Sequence, residues 1–150
     1  MPIVDDVSTA IADAMRRQDR ATLSALRMLK AAFMNRSVEK GRDLDDGEAR
    51  QVVSSLVKQR KDSVEQFTKG GRQDLADKEA AEIVVLESYL PPAIDPAVVE
   101  RLVVEAIAET GATSPKDMGR VMKAAMAKLA GQNVDGKVVN ELVRSRLGGA

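Results

Sequence analysis

The sequence predicts an all-α protein with four helices in an N-terminal subdomain and three shorter helices in a small C-terminal subdomain. Apolar residues recur at helical spacing in seven segments, most of them preceded by a capping residue or a proline. Aromatic residues make up only 2% of the chain, so the core must be aliphatic, as is typical of helical bundles. The division falls at Pro91-Pro92, because two prolines cannot continue a helix.

Four amphipathic segments predict the helices of the N-terminal subdomain, residues 1–90. Asp19 can cap the second segment, and Asp45 with Glu48 three residues later forms a capping-box pattern at the start of the third. Glycines follow the second and third segments and are expected to end them. The predicted bounds are, in order, Ile3 to about Arg17, Asp19 to Gly41, Asp45 to Gly70 and about Gln73 to Leu90.

Beyond a Pro-Pro corner at residues 91–94, three segments predict a compact C-terminal subdomain, residues 95–150. Asp95-Pro96 suits the start of the fifth helix. Ser114-Pro115-Lys116-Asp117 supplies a cap, a first-turn proline and an acid at the third position, which predicts the start of the sixth. Asp135 can cap the seventh. The residues expected to face inward on these last two helices are Met118, Val121, Met122, Ala125, Leu129, Val138, Val139, Leu142 and Val143.

The composition excludes several kinds of chemistry. The chain has no cysteine and no histidine, which removes disulfides, thiolate metal sites, cysteine nucleophiles and histidine acid–base catalysis. Basic and acidic residues number 23 each, so no overall charge attracts nucleic acid or membrane. The longest apolar run is only a few residues, and the first residues carry acids where a signal peptide carries bases. We therefore expect a cytoplasmic protein with no cofactor, no metal and no membrane partner.

A charged residue interrupts the apolar stripe of the third helix. At 100° per residue Arg60 falls between Leu56 and Val64, and Glu79 and Glu82 interrupt the fourth helix in the same way. One interpretation is an internal ion pair between Arg60 and these carboxylates, which would set the register of the two helices. The alternative is an arginine left open to bind an anionic ligand.

Positive charge is concentrated towards the C-terminus. Residues 111–150 contain seven basic and three acidic residues, whereas residues 91–110 contain one basic and four acidic residues. Such a cluster is typical of contacts with RNA phosphates, and the alternative is that these side chains are only solvated. The candidate RNA-binding residues are Lys116, Arg120 and Lys123 on one side of the sixth helix, with Lys137 and Arg144 on the seventh.

Residues 131–137 match the G-x-x-x-x-G-K spacing of a phosphate-binding loop. However, Val138 stands where a serine or threonine would hold magnesium, and a helix rather than a strand precedes the segment. We therefore predict a turn between two helices and no nucleotide site.

Short motifs along the whole chain resemble the GatB/YqeY family. They are Leu26-Arg27-Met28-Leu29-Lys30, Lys58-Gln59-Arg60-Lys61-Asp62-Ser63, Arg72-Gln73-Asp74-Leu75, Glu79 to Glu82, Tyr89-Leu90-Pro91, Asp117-Met118-Gly119-Arg120-Val121-Met122 and Asp135-Gly136. The resemblance implies an all-helical fold shared with the tail of the B subunit of tRNA-dependent amidotransferases. In those enzymes the tail helps to hold tRNA, while the chemistry takes place elsewhere.

The resemblance and the basic cluster together favour a non-catalytic module that contacts tRNA or another structured RNA. A second hypothesis is an adaptor that binds an amidotransferase or another translation-related protein through an exposed apolar groove. A third is an enzyme in glutamine-dependent amidation, as the family's carbon–nitrogen ligase label implies. The lack of histidine, cysteine and an amidase signature argues against the third, and the resemblance implies no catalytic residue.

Overall fold

The computed structural model describes residues 2–148, which form seven α-helices and one short 3-10 helix. The prediction of an all-α protein is confirmed. The chain divides into two compact units between Leu90 and Pro91. Residues 1, 149 and 150, which the predicted subdomains include, lie outside the described residues. The helices are α1 (Ile3–Arg16), α2 (Arg20–Lys40), α3 (Asp46–Lys69), α4 (Gln73–Glu87), α5 (Pro96–Thr110), α6 (Met118–Lys128) and α7 (Gly136–Arg146), and the 3-10 helix is Pro115–Asp117.

The first unit, α1 to α4, has an aliphatic core around a single phenylalanine ring. Burial of these side chains is the main favourable term for folding. On α1 Ala14 is buried but Met15 is 54% exposed. Successive helical residues lie 100° apart, so the two side chains cannot both face a narrow core. The buried residues of this core are Val7, Ala14, Leu26, Leu29, Phe33, Ala49, Val53, Val57 and Leu86.

The capping box predicted at the start of α3 is confirmed. Asp45 accepts a hydrogen bond from the Glu48 amide at 2.8 Å, and the Glu48 carboxylate accepts one from the Asp45 amide at 3.1 Å. The same carboxylate accepts two bonds from the Arg42 guanidinium, at 2.7 and 2.9 Å, and lies 2.6 Å from Lys40 Nζ. The hydrogen bonds from Arg42, and then from Lys40, hold the pKa of the Glu48 carboxyl well below its ordinary value. One carboxylate therefore closes the connection between α2 and α3.

Acid should weaken this connection. The pKa of Glu48 is lower in the folded than in the unfolded protein, so its contribution to stability is present above the unfolded pKa of about 4.3. That contribution is lost as the pH falls towards the lower folded value. We expect Glu48→Gln to make the free energy of unfolding less dependent on pH between about pH 5 and pH 2. Urea denaturation at several pH values in this range measures the free energy of unfolding, with Glu141→Gln as the control. A variant as acid-sensitive as the wild type would contradict the expectation.

Helix α4 ends at Glu87, three residues before the predicted end at Leu90. The amides of Ser88, Tyr89 and Leu90 bond to carbonyls three residues back, which is a tighter pattern than that of an α-helix. Pro91 and Pro92 have no amide hydrogen and cannot continue the helical pattern. The tighter turns use carbonyls that the end of an α-helix leaves without partners.

The second unit, α5 to α7, has its own core. Asp95 and Asp135 cap α5 and α7 as predicted, accepting bonds from the Ala97 amide at 2.8 Å and the Lys137 amide at 2.9 Å. Val138 was expected to face inward but is 46% exposed, because its neighbour Val139 takes the inward side of α7. The buried residues of this core are Val99, Val103, Ala106, Val121, Ala125, Leu129, Val139, Val143 and Leu147.

Helix α6 begins four residues later than its predicted cap at Ser114. The amide of Asp117 bonds to the carbonyl of Ser114 at 3.0 Å, so the chain first makes a single 3-10 turn. The Asp117 carboxylate reaches back to the Thr113 amide at 3.1 Å. This bond is the main reason that the pKa of Asp117 is lowered. The acid thus holds the loop before the helix.

The segment between α6 and α7 is tied to the chain just before α5. The carbonyl of Asn133 accepts the Ile94 amide at 3.2 Å, and the Asn133 side chain donates to the Pro91 carbonyl at 2.9 Å. Proline cannot donate a backbone hydrogen bond, so the corner bonds through the carbonyl of Pro91 and the amide of Ile94. Residues 131–135 therefore act as a connection that closes the second unit.

Candidate nucleic-acid interface

Arg60 on α3 lies beside Glu79 and Glu82 on α4. The Nε atom of Arg60 is 3.0 Å from the Glu82 carboxylate and 3.7 Å from that of Glu79. Arg60 and Glu82 are 8% and 7% exposed, and Nη2 of Arg60 also contacts Sδ of Met28 on α2. This geometry favours an internal ion pair over an arginine held open for an anion.

Breaking this pair from one side should be costly. Arg60→Leu leaves Glu82 buried without its counter-charge, so we expect the free energy of unfolding to fall by about 3–5 kcal/mol. The double variant Arg60→Leu/Glu82→Leu should recover much of the loss, because neither charge then remains buried. Urea denaturation measures all three proteins, with the exposed Lys58→Leu on α3 as the control. A loss in Arg60→Leu no larger than that in the control would contradict the prediction.

The three basic residues predicted around α6 are all exposed, but they are not equivalent. Arg120 and Lys123 lie on the side of α6 away from its buried residues, and Lys116 precedes them in the 3-10 turn. Nη2 of Arg120 donates to the Asp117 carboxylate at 2.8 Å. Within residues 2–148, Lys116 and Lys123 have no carboxylate within 4.0 Å. Two of the three cations are therefore free to meet an external anion.

Lys137 and Arg144 are exposed on one flank of α7. They are seven residues apart, so they lie within about 20° of each other around the helix. Arg144 contacts Asn140 at 3.4 Å, and neither base has an ion pair in the described part of the chain. Glu141 is exposed near the same flank and reduces its positive charge. The five candidate residues thus form two groups, one around α6 and one on α7.

Two other basic residues of this unit are neutralised by acids on α5. Nζ of Lys128 lies 2.6 Å from Glu109 and 3.8 Å from Glu105, and Arg146 pairs with Glu100. The hydrogen bond from Glu109 is the main cause of the raised pKa of Lys128. Counting charge by segment missed these pairs, because the partners are 19 and 46 residues apart and leave no local signal.

The described residues contain no group of three acidic side chains arranged to hold a metal ion. None of the helices described here combines the length and the apolar character that crossing a membrane requires.

The architecture defines an all-α protein of two helical units, with free basic side chains on the second. A family model described as Yqey-like protein matches residues 4–147, and the chain belongs to this family. The resemblance to the GatB/YqeY family is thereby confirmed, and the family is related to the GatB tail domain.

Several fungal relatives named "Altered inheritance of mitochondria protein 41, mitochondrial" are similar to this chain. The Lachancea thermotolerans protein is 36% identical over 78 residues, which cover 51% of this chain and 42% of the relative. The Kluyveromyces lactis protein is 38% identical over 77 residues, with the same shares. The Pyrenophora tritici-repentis protein is 26% identical over 138 residues, or 91% of this chain and 76% of the relative. The match thus covers less than half the length of the first two relatives.

The prediction of a cytoplasmic location is wrong, because these relatives are named as mitochondrial proteins. The prediction rested on the lack of a long apolar run and on acidic residues where a signal peptide carries bases. Neither observation distinguishes one aqueous compartment from another, so neither could decide the location.

Proposed function

We propose that the second unit is a non-catalytic module that binds the phosphate backbone of structured RNA, with tRNA as the first candidate. The observation that supports this most directly is the set of exposed bases around α6 and on α7 without a carboxylate partner: Lys116, Lys123, Lys137 and Arg144. Arg101 on α5 is likewise exposed and without an ion pair. By contrast, Lys128 and Arg146 are paired with acids of the same unit. The relation of the family to the GatB tail supports RNA as the source of the phosphates.

Recognition would depend on charge and shape. Residues 91–150 contain no aromatic side chain, so the second unit has no ring on which an unpaired base could stack. Three of the four free cations around α6 and on α7 are lysines, which act as point charges and lack the planar fork with which arginine pairs to base edges. Phosphates held at fixed spacing by a folded RNA suit such a surface better than a flexible single strand.

Binding of tRNA should depend steeply on salt. Each neutralised phosphate releases counterions, so we expect Lys116→Ala/Lys123→Ala to reduce the slope of log K against log salt by about two. Filter binding of bulk tRNA at several salt concentrations measures the slope. The control is Lys58→Ala/Lys78→Ala, which removes two exposed bases without ion pairs from the first unit. The proposal is wrong if all three proteins give the same slope, or if the wild-type protein does not bind tRNA at low salt.

Removing the negative charge at residue 117 should strengthen binding. Asp117 holds Arg120 at 2.8 Å, and Asp117→Asn would release this guanidinium while keeping an acceptor for the Thr113 amide. We expect tRNA affinity to rise several-fold and the salt slope to increase by about one. The same filter assay tests this, with the exposed Asp62→Asn in the first unit as the control. An affinity equal to that of the wild type would show that Arg120 takes no part.

A further inference from the structure

Helix α2 carries positive charge that the rest of the first unit does not neutralise. Residues 20–38 include four bases and no acid, and the first acid on the helix is Glu39. Arg36 pairs with Glu39 at 3.0 Å. Arg20, Arg27 and Lys30 are exposed and have no carboxylate within 4.0 Å in the described chain. Bases and acids are equal in number over the whole protein, so the excess of bases on this helix is a local feature.

One line of exposed residues runs along α2 on the side opposite its buried residues. We call it the α2 outer seam. Its N-terminal half is basic and its C-terminal half is apolar, with Met34 61% and Val38 81% exposed. Its members are spaced alternately by four and three residues, so they stay on one side of the helix. They are Arg20, Ser24, Arg27, Ala31, Met34 and Val38, all of them exposed.

Alternating spacing of this kind is what a second helix requires in order to pack alongside at a small crossing angle. Ala31 is small enough to let another helix approach closely, and Met34 and Val38 offer apolar surface on the turns that follow it. The positive charge of Arg20, Arg27 and Lys30 is complementary to an acidic partner. We propose that the α2 outer seam binds an acidic amphipathic α-helix of a partner protein. This surface lies on a different unit from the bases of the proposed RNA site.

A second copy of α2 does not fit the seam. Parallel pairing would place Arg20 and Arg27 opposite the same residues of the other copy. Antiparallel pairing would place Arg20 against Val38 and Arg27 against Ala31, so that bases meet apolar side chains without any acid. The complementary helix must therefore come from a different sequence, with acids facing the basic half and apolar residues facing the other half.

The apolar half of the seam favours an acidic helix over two other kinds of anionic partner, nucleic-acid phosphates and an anionic lipid surface. Phosphates gain nothing from Met34 and Val38, and the aromatic ring of α2, Phe33, is buried where it cannot stack on a base. An anionic lipid surface requires a wide apolar face, but the wide apolar face of α2 is already in the core of the first unit. The narrow exposed apolar strip matches the contact line of one helix.

The test uses the full chain and a labelled synthetic peptide of 21 residues. Along one side the peptide carries residues at alternating spacings of three and four, with glutamate at these positions in one half and leucine in the other half. A peptide of the same composition in scrambled order, which cannot form an apolar stripe, is the control. We expect fluorescence anisotropy to show binding of the patterned peptide at least tenfold tighter than that of the scrambled one. Equal binding would mean that charge alone is responsible, and would overturn the proposal.

Two sets of substitutions locate the site. Met34→Ser/Val38→Ser removes the apolar half, and Arg20→Gln/Arg27→Gln removes charge from the basic half. Each should weaken binding of the patterned peptide about tenfold or more. In the first variant the leucines of the peptide lose their apolar partners, and in the second its glutamates lose their counter-charges. Val84→Ser changes a side chain that is 70% exposed on α4 and should have no effect. If Val84→Ser weakens binding as much as the seam variants, the proposal is wrong.

A cross-link gives a readout that does not depend on affinity. The chain has no cysteine, so Asn35→Cys beside the seam accepts a single thiol-linked photo-cross-linker, and Lys58→Cys on α3 provides the matched control. The patterned peptide should cross-link through residue 35 and not through residue 58; equal yields would overturn the proposal. Vesicles containing phosphatidylserine and bulk tRNA serve as further probes. If the seam substitutions weaken binding to either of these and leave peptide binding unchanged, the seam is a lipid or RNA surface instead.

Discussion

The buried guanidinium of Arg60 is the interaction on which the arrangement of the first unit depends. Helices α3 and α4 have 24 and 15 residues. A stripe of interchangeable aliphatic side chains is by itself a weak determinant of their register. A charge almost shielded from water must meet its counter-charge, and the observed register places Arg60 Nε 3.0 Å from Glu82. Contact with Met28 extends the constraint to α2. We infer that the pair contributes specificity more than net stability, since burying both ions is itself costly.

Electrostatics has a different role in the second unit. The acids of α5 neutralise the flanks of the other two helices, where Glu109 meets Lys128 and Glu100 meets Arg146. These are exposed or half-exposed pairs, which contribute little to stability. Their larger effect is on the distribution of charge. Apart from Arg101 on α5, the bases that remain without partners lie in the 3-10 turn, on the outward side of α6 and on one flank of α7. A unit with little net charge therefore still has local positive surfaces.

A formal charge of zero therefore conceals two surfaces with different chemistry. On the second unit the free cations have no aromatic companion, and the exposed apolar side chains near them, Met126 and Val138, lie singly on two different helices. Phosphates need only the charges. On α2 the cations continue into exposed Met34 and Val38, as suits a helix with apolar and acidic residues. The distinction depends on which side chains accompany the bases, because Coulomb attraction alone acts on any anion.

The sequence by itself determined the fold class and most helix ends. Caps, prolines and glycines act through bonds to residues only a few positions away, as the Asp45–Glu48 capping box shows. It also contained the signal on α2, a run of 19 residues without an acid, which the segment-by-segment count of charge overlooked. Only the tertiary structure decided which charges are free. Lys128 and Arg146 meet acids that are 19 and 46 residues away, and an ion pair depends on distance in space, which separation along the chain does not determine.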